Sequence, residues 1–466
     1  MRELLLSAGL LLAFLGIVEA QEGMIRIGAI TIQGNQKTKD EIILRELLFK
    51  SGDLVPDSLL EVQMERSKDL VMNTGLFNEA TFNQSVGNEG EINLEIIVIE
   101  TWYIYPVPVF ELIDRNFNVW WVEQNRSLDR INFGIEFAHL NFTGQKDKLK
   151  LTAKYGYTRS YSLKYSFPYI DRAQTLGIVT EVAYARNREL NYNSIDNKQL
   201  FYKDTDGRFI FQRFWSEFGL IYRPGFHLTH GLRLRFQQNQ VDDYIASELN
   251  PDFFLDGRKN QRFFSLRYHF TYDLRDVRSY PLEGNLFTAE LIKDGLGFFS
   301  DRNALTLLTN YDHFWTLSDR WSTGFQFGVK LSMTRQQQPF NEYRAFGFGR
   351  NNLYGYEYYV VNGMDMALLK SFMRYRLFTK ELNFGKFIPI KSFRKMPMKA
   401  YLSFNQGIAV VNDPYTSEVN PFSNRALWGG GLGLDIVLYY DKVFRIQYSY
   451  NHLFEHGLFL HFNTNI

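Results

Sequence analysis

The histidines are the first place to look for chemistry. HLFEH (452–456) matches H-x-x-E-H, the spacing of an inverted zinc-hydrolase motif. That chemistry needs both imidazoles on one helical face, whereas alternating segments on either side of His452, Glu455 and His456 predict a hairpin turn. His227 and His230 read as loop or interface residues. No G-x-S-x-G occurs, which removes a fused esterase-type nucleophile. The chain has no cysteine, so disulfides, thiolate metal sites and cysteine nucleophiles go together. We expect no enzyme, no metal and no cofactor.

A different cluster stands out at 350–359, RNNLYGYEYY. Arg350, Leu353, Tyr354, Gly355, Tyr356, Tyr358 and Tyr359 fall between two alternating stretches, where a connection should be polar. That much apolar and aromatic surface is costly in water, so the segment is expected to fold back into a cavity.

The rest of the chain must supply that cavity. In 466 residues there are 42 Phe and 28 Tyr, with a formal net charge of +1. Near-zero charge argues against a general nucleic-acid binder. Residues 4–18, LLLSAGLLLAFLGIV, follow Arg2 and lead to Val18-Glu19-Ala20, which predicts a signal peptide over 1–20 with cleavage before Gln21. Nothing after residue 21 reads as a membrane helix. An exported, aromatic-rich chain of this kind is either a large secreted β protein or a membrane β-barrel.

Alternation decides for the barrel. In KDKLKLTAKYGY (146–157), Leu149, Leu151, Ala153, Tyr155 and Tyr157 share one face, and Lys148, Lys150, Thr152 and Lys154 the other. LFLHFNTNI (458–466) repeats this, placing Leu458, Leu460 and Phe462 outward and Asn463 inward. The pattern recurs in SYSLKYSF, LFTAELIK, ALTLLTNY, STGFQFGVKL and FRIQYSY, with aromatic residues at strand ends. Apolar-out and polar-in is what lipid outside and water inside demand, and about sixteen antiparallel transmembrane strands follow from Trp102 onward. The lysine face of 148–154 reads as a solvated lumen wall, and Gly429, Gly430, Gly431 and Gly433 read as bending a strand.

Residues 24–101 follow another grammar. MIRIGAITIQGN is a short strand closed by Gly34-Asn35. TKDEIILRELLF (38–49) predicts a helix burying Ile42, Ile43, Leu47 and Leu48, with Thr38 and Glu41 as a capping box. A second helix is expected from Ser58 to Asn73, with Leu60, Met64, Ser67 and Val71 in one stripe. Strands over Ala80–Val86 and 92–100 complete a small β-α-α-β-β unit with a three-stranded sheet. Its edge, ATFNQSV, could accept another chain through the backbone at Thr81 and Asn83.

This unit resembles a POTRA domain through ITIQGNQKT, Gly52 and NTGLF (73–77). The whole chain resembles the BamA/TamA family of outer-membrane insertases and transporters. DLRDVRSYPLEGN (273–285) resembles the family's surface-antigen signature at Asp273, Arg275, Asp276, Pro281 and Gly284. RNNLYGYEYY resembles its lumen-loop motif, SFNQG (403–407) its Phe-x-Asp-x-Gly strand, and 429–450 its last hairpins.

The resemblance implies a POTRA domain at 24–101 in the periplasm and an outer-membrane barrel at 102–466. It implies that the loop tucks into the lumen and is held by a motif arginine on a motif aspartate. Here Tyr354 stands in the arginine's place and Asn405 in the aspartate's, with Gly407 beyond, so a neutral hydrogen-bonded pair is expected, with Arg350 as an alternative cation. One POTRA domain and a terminal Ile466 are further departures from the family pattern. The implied function is insertion or translocation of other polypeptides through a POTRA edge and a lateral barrel seam. The alternative is a structural subunit of an outer-membrane complex with a closed barrel. The implied partners are outer-membrane lipid and unfolded outer-membrane polypeptides or partner subunits.

Overall fold

The computed structural model describes residues 23–462 apart from 88–89, 172, 226, 384–394, 417 and 439–441. The expectations for the signal peptide, Asn463 and Ile466 lie outside the described residues. The chain forms two compact units. One runs to Ile104 and includes Leu140–Asp147; the other takes Tyr105–His139 and the chain from Lys148 onward.

The first unit holds β1 (Met24–Gln33), α1 (Asp40–Leu44), β2 (Leu54–Pro56), α2 (Asp57–Asn73), β3 (Phe77–Val86) and β4 (Ile92–Glu100). Its sheet has four strands in the order β2-β1-β4-β3, not three, because Leu54–Pro56 adds a short strand beside β1. β1 and β4 run parallel in the centre. Ile27, Leu94, Ile96 and Val98 pack against Ile42, Ile43, Leu60 and Val71, so the helical stripes are core.

Two expectations for α1 need correction. The helix is a five-residue turn that ends at Leu44, and Leu48 is exposed. The capping box does not form, since Lys39 occupies the N-cap without a side-chain bond. The Thr38 hydroxyl instead sits 2.9 Å from the Tyr103 hydroxyl and accepts from Asn141 Nδ2 at 2.9 Å. A buried hydroxyl takes the partners that burial provides.

The second unit opens with β5 (Ile104–Leu112), β6 (Ile131–Leu140), β7 (Lys148–Gly156), β8 (Thr158–Phe167) and β9 (Leu176–Asn187). A separate hairpin, β10 (Glu189–Ile195) with β11 (Lys198–Lys203), precedes β12 (Phe211–Tyr222), β13 (Leu228–Val241), β14 (Asn260–Asp273) and β15 (Gly284–Asp294). β16 (Ala304–Thr316) and β17 (Trp321–Ser332) lead to a long connection carrying the small pair β18 (Arg344–Phe346) and β19 (Val361–Asn362). The chain ends with β20 (Asp365–Asn383), β21 (Lys395–Asn412), β22 (Ala426–Val437), β23 (Val443–Asn451) and β24 (His456–Phe462).

Leaving out the two small hairpins, these strands make one sixteen-stranded sheet from β24 to β5, each strand beside its neighbours in sequence. Period-two sequence becomes two faces. Leu402, Phe404, Ile408 and Val410 of β21 are exposed outward, while Ser403 and Asn405 are buried inward. Lys150 and Lys154 point inward to Glu136 and Glu111, and Leu151 outward. The sheet curls until its margins approach, and Asn118 in the β5–β6 connection hydrogen-bonds the main chain of β24.

Candidate functional site

The aromatic connection fills the interior of the curled sheet. Leu353 is 2% exposed and Tyr356 1%. They share an apolar cluster with Phe346, Val361, Leu368, Val411, Phe422 and Leu427, contributed by both the connection and the wall. Apolar side chains on the inward face appear where this segment covers them, which accounts for an aromatic run in a connection.

Glycine makes the close approach possible. Gly355 has φ +82° and lies so near β23 that a Cβ would come within 2.5 Å of the Tyr450 carbonyl. Its carbonyl accepts from Asn451 Nδ2 at 2.9 Å. A Cβ on Gly407 would lie 2.6 Å from Leu353 Cδ1, and one on Gly429 would lie 2.0 Å from the Tyr354 carbonyl. Beside the bend expected of the 429–433 glycines, Gly429 has a second use. β22 keeps an unbroken register with β21 through them, and the room left at Gly429 admits the inserted chain.

The expected Tyr354–Asn405 hydrogen bond is absent among the described residues. Tyr354 is buried, but Asn405 Nδ2 donates to Ser403 Oγ at 3.0 Å and its Oδ1 has no partner. The main chain at Tyr354 follows the β22 glycines, and Asn405 lies back among the polar side chains of its own sheet. The charged contact is made by Arg350, whose Nη2 donates to Asp312 Oδ2 of β16 at 2.6 Å. Lys370 Nζ adds donors to the Arg350 carbonyl and Asn352 Oδ1 at 3.4 and 3.5 Å.

Sequence reasoning missed further residues that hold this segment. Tyr356 Oη bonds the ring of His452, and Tyr359 Oη donates to Glu455 at 2.8 Å. HLFEH is a turn that grips the connection, as its place between β23 and β24 requires. From the β5–β6 connection, Arg115 donates to the carbonyls of Gly347 (3.0 Å) and Tyr359 (2.8 Å), and Asn116 Nδ2 to Glu357 (2.7 Å). Asp312 could have been found in the sequence as the acid on the polar face of ALTLLTNYDHFWT.

DLRDVRSYPLEGN forms the β14–β15 turn. Asp273 pairs with Arg275 at 2.8 Å, and Asp276 Oδ1 accepts the Leu282 and Glu283 amides at 3.0 and 3.2 Å. The Pro281 carbonyl accepts from Arg374 at 2.8 Å, and Gly284 turns at φ +93°. The turn thereby places Tyr280 inside the sheet, with its hydroxyl on Asp435 at 2.7 Å and the Arg374 guanidinium over its ring. Asp435 is also bound by Arg445 through two nitrogens at 2.6 and 2.8 Å, a bidentate pair in the interior.

In the first unit, β3 is the sheet margin, and Thr81 and Asn83 are exposed on it. Beside it α2 leaves a groove of about 290 Å³ lined by Glu61, Glu65, Lys68, Thr81, Phe82 and Gln84. A margin next to a groove offers backbone pairing plus pockets for alternate side chains.

The margins of the large sheet are the remaining open feature. Among the described residues no ladder joins β5 to β24. The β24 main chain is met by a side chain: Asn118 Nδ2 donates to the Leu458 carbonyl at 2.7 Å, and Leu460 N donates to Asn118 Oδ1 at 2.9 Å.

Comparison with known proteins fits this architecture. The POTRA family model, surface antigen variable number repeat, matches residues 25–101, and the Omp85 superfamily domain matches 141–367. The crystal structure of BamA from Haemophilus ducreyi lacking POTRA domains 1-3 is similar at TM-score 0.64 and 13% identity, covering 94% of this chain and 83% of that one. CdiB from Escherichia coli is similar at TM-score 0.56 and 12% identity, over 94% and 75% of the two chains. At such identities the likeness is one of fold. No curated protein matches the chain by sequence. Omp85 barrel homologues are outer-membrane proteins with periplasmic POTRA domains. The chain thus carries a POTRA domain followed by an Omp85 superfamily domain, on a sixteen-stranded antiparallel sheet.

Proposed function

We propose that the chain assists insertion or translocation of other polypeptides at the outer membrane, with a POTRA domain at 24–101 receiving an unfolded segment and a barrel at 102–466 passing it on. The observation that carries this reading is the absence, among the described residues, of a ladder between β5 and β24. In lipid every backbone group must be satisfied, so an unladdered margin is the place where an incoming strand gains most. The β3 edge of the first unit, with its groove, would hold an extended client by backbone pairing. Arg350, Leu353, Tyr354, Gly355 and Tyr356 would keep the inserted connection in place, against a wall that includes Asn405 and Gly407. No step of this role needs catalysis or a cofactor.

A second reading, a structural subunit with a closed barrel, is favoured by how firmly the inserted connection is held. Arg350, Arg115, Asn116 and the 452–455 turn all bind it. Purification of the chain from outer membranes, with its co-eluting proteins identified, separates the two. A ladder of newly made outer-membrane proteins supports transport, and a fixed set of subunits supports the scaffold.

A further inference from the structure

The inward faces of β12 to β17 and the inserted connection enclose a cavity of about 340 Å³ that neither reading of function uses. Seven cations line it against three carboxylates, whereas the whole chain carries a net charge of only +1. The surplus is local, gathered at one place inside the sheet.

The carboxylates are already committed. Glu217 is shared by Arg233 and Arg235 at 3.2 and 2.6 Å. Asp294 pairs with Arg302 Nη2 at 2.8 Å, and Glu342 stands 3.8 Å from Nη1, beyond hydrogen-bond reach. The Arg302 side chain is only 7% exposed, yet its Nε and Nη1 have no hydrogen-bond partner among the described residues. Buried donors normally have one.

Arg213 of β12 and Arg344 of β18 are freer still. Both side chains are accessible from the cavity, and among the described residues neither guanidinium has a carboxylate in ion-pair reach. Each has a ring beside it instead, Trp215 at 5.2 Å and Phe348 at 5.0 Å. Lys330 Nζ donates to the Arg344 and Gly363 carbonyls at 2.7 and 2.9 Å, which fixes β18 at the cavity wall.

Like charges gathered between low-dielectric walls repel one another and focus their field on the space they enclose. A compact anion with several oxygens relieves that repulsion. Guanidinium forks match phosphate oxygens two by two, and a single carboxylate offers too little charge for such a surplus. The lining is the face of the sheet turned away from lipid, which selects a soluble ion over the headgroup of a bilayer lipid.

We propose that this cavity binds a soluble multivalent phosphate anion, a di- or triphosphate, between Arg213 and Arg344 with Arg267 and Arg302 around it. Arg213 belongs to the wall and Arg344 to the inserted connection, so the bound anion ties one to the other. A second cavity of about 380 Å³ shares Arg233 and continues the basic lining through Arg223 to Arg275 and Arg278, giving the anion a basic approach from the β14–β15 turn. The site depends on neither the transport nor the scaffold reading.

The test uses the chain purified from membranes in a neutral detergent, at physiological salt, with inorganic tripolyphosphate as the probe and sulfate as the comparison. Calorimetry should show saturable binding of tripolyphosphate and far weaker binding of sulfate. Arg213→Gln and Arg344→Gln should each weaken it about tenfold, the equivalent of one charge-assisted hydrogen bond. Lys150→Gln removes the same charge from another part of the inward face and should leave the affinity unchanged. Tripolyphosphate should also slow amide exchange over 338–346 in the wild-type chain and not in Arg344→Gln.

If Arg344→Gln does not fold, Arg213→Gln decides, because its side chain holds no part of the connection. Absence of saturable binding, equal affinity for sulfate, or equal weakening by Lys150→Gln overturns the site in favour of a diffuse field. Binding that leaves exchange over 338–346 unchanged overturns the tie between wall and connection. Displacement of tripolyphosphate by vesicles of a phosphorylated glycolipid, and not by free diphosphate, overturns the choice of a soluble ion.

Discussion

Replacing Arg350 by Gln should free the inserted connection more than any other single polar change within it. The Asp312 carboxylate is 2% exposed at its side chain and is bonded by Arg350 at 2.6 Å, while the Arg350 side chain is 41% exposed. A charge-assisted hydrogen bond contributes about 1.5–3 kcal/mol, and partial solvation of the arginine places this one near the lower end. Removing Arg350 also strands a buried carboxylate, so Arg350→Gln should cost about 2–3 kcal/mol of closure. Asp312→Asn leaves a cation that can turn to water, and should cost about 1–1.5 kcal/mol. The double variant should resemble Asp312→Asn, giving a coupling of about 2–3 kcal/mol. Native-state amide exchange of peptides spanning 344–362 measures the opening free energy directly. Additive single effects, or exchange in Arg350→Gln within about 0.3 kcal/mol of wild type, would refute the role given to this pair.

Gly355→Ala places a Cβ within 2.5 Å of the Tyr450 carbonyl at φ +82°. The left-handed conformation alone should cost about 1–2 kcal/mol, so faster exchange over 353–359 is expected, and wild-type protection would count against the close packing on β23. Leu151→Arg should destabilise the barrel by about 2–4 kcal/mol, while Thr152→Arg on the inward face should be milder in heat-modifiability assays. Equal tolerance would reverse the assigned faces. Proline at Thr81 or Asn83 should leave the first unit folded by circular dichroism yet weaken partner capture, by removing a donor from β3. Undiminished capture would rule that edge out.

The barrel was legible because lipid imposes a two-residue period that survives in KDKLKLTAKYGY and LFLHFNTNI with no help from tertiary context. The inserted connection was legible for a similar reason, since aromatic residues without cover are costly. Its fastening was not. Whether Tyr354 meets Asn405 depends on where the main chain of the connection crosses β21 and β22, and that crossing is set by Gly407 and Gly429, whose spacing carries no register. The cation shifted to Arg350, and its acceptor Asp312 lies on β16, far from the motif in sequence. Thr38 fitted a capping box locally, but burial beside Tyr103 and Asn141 outweighed a cap worth about 1 kcal/mol. Asn118 gave no signal, because an asparagine in a polar connection is ordinary until the margin it meets is known.

On the proposed role, other polypeptides in transit meet this chain at the β24 margin and the β3 edge. Photo-cross-linkers placed at Leu458 and Thr81 in growing cells, followed by a brief pulse of labelled amino acid, test it most directly. Labelled, newly made outer-membrane polypeptides should be attached at both positions early in the chase and disappear as they mature. Adducts that persist unchanged through the chase and consist only of fixed subunits would contradict it.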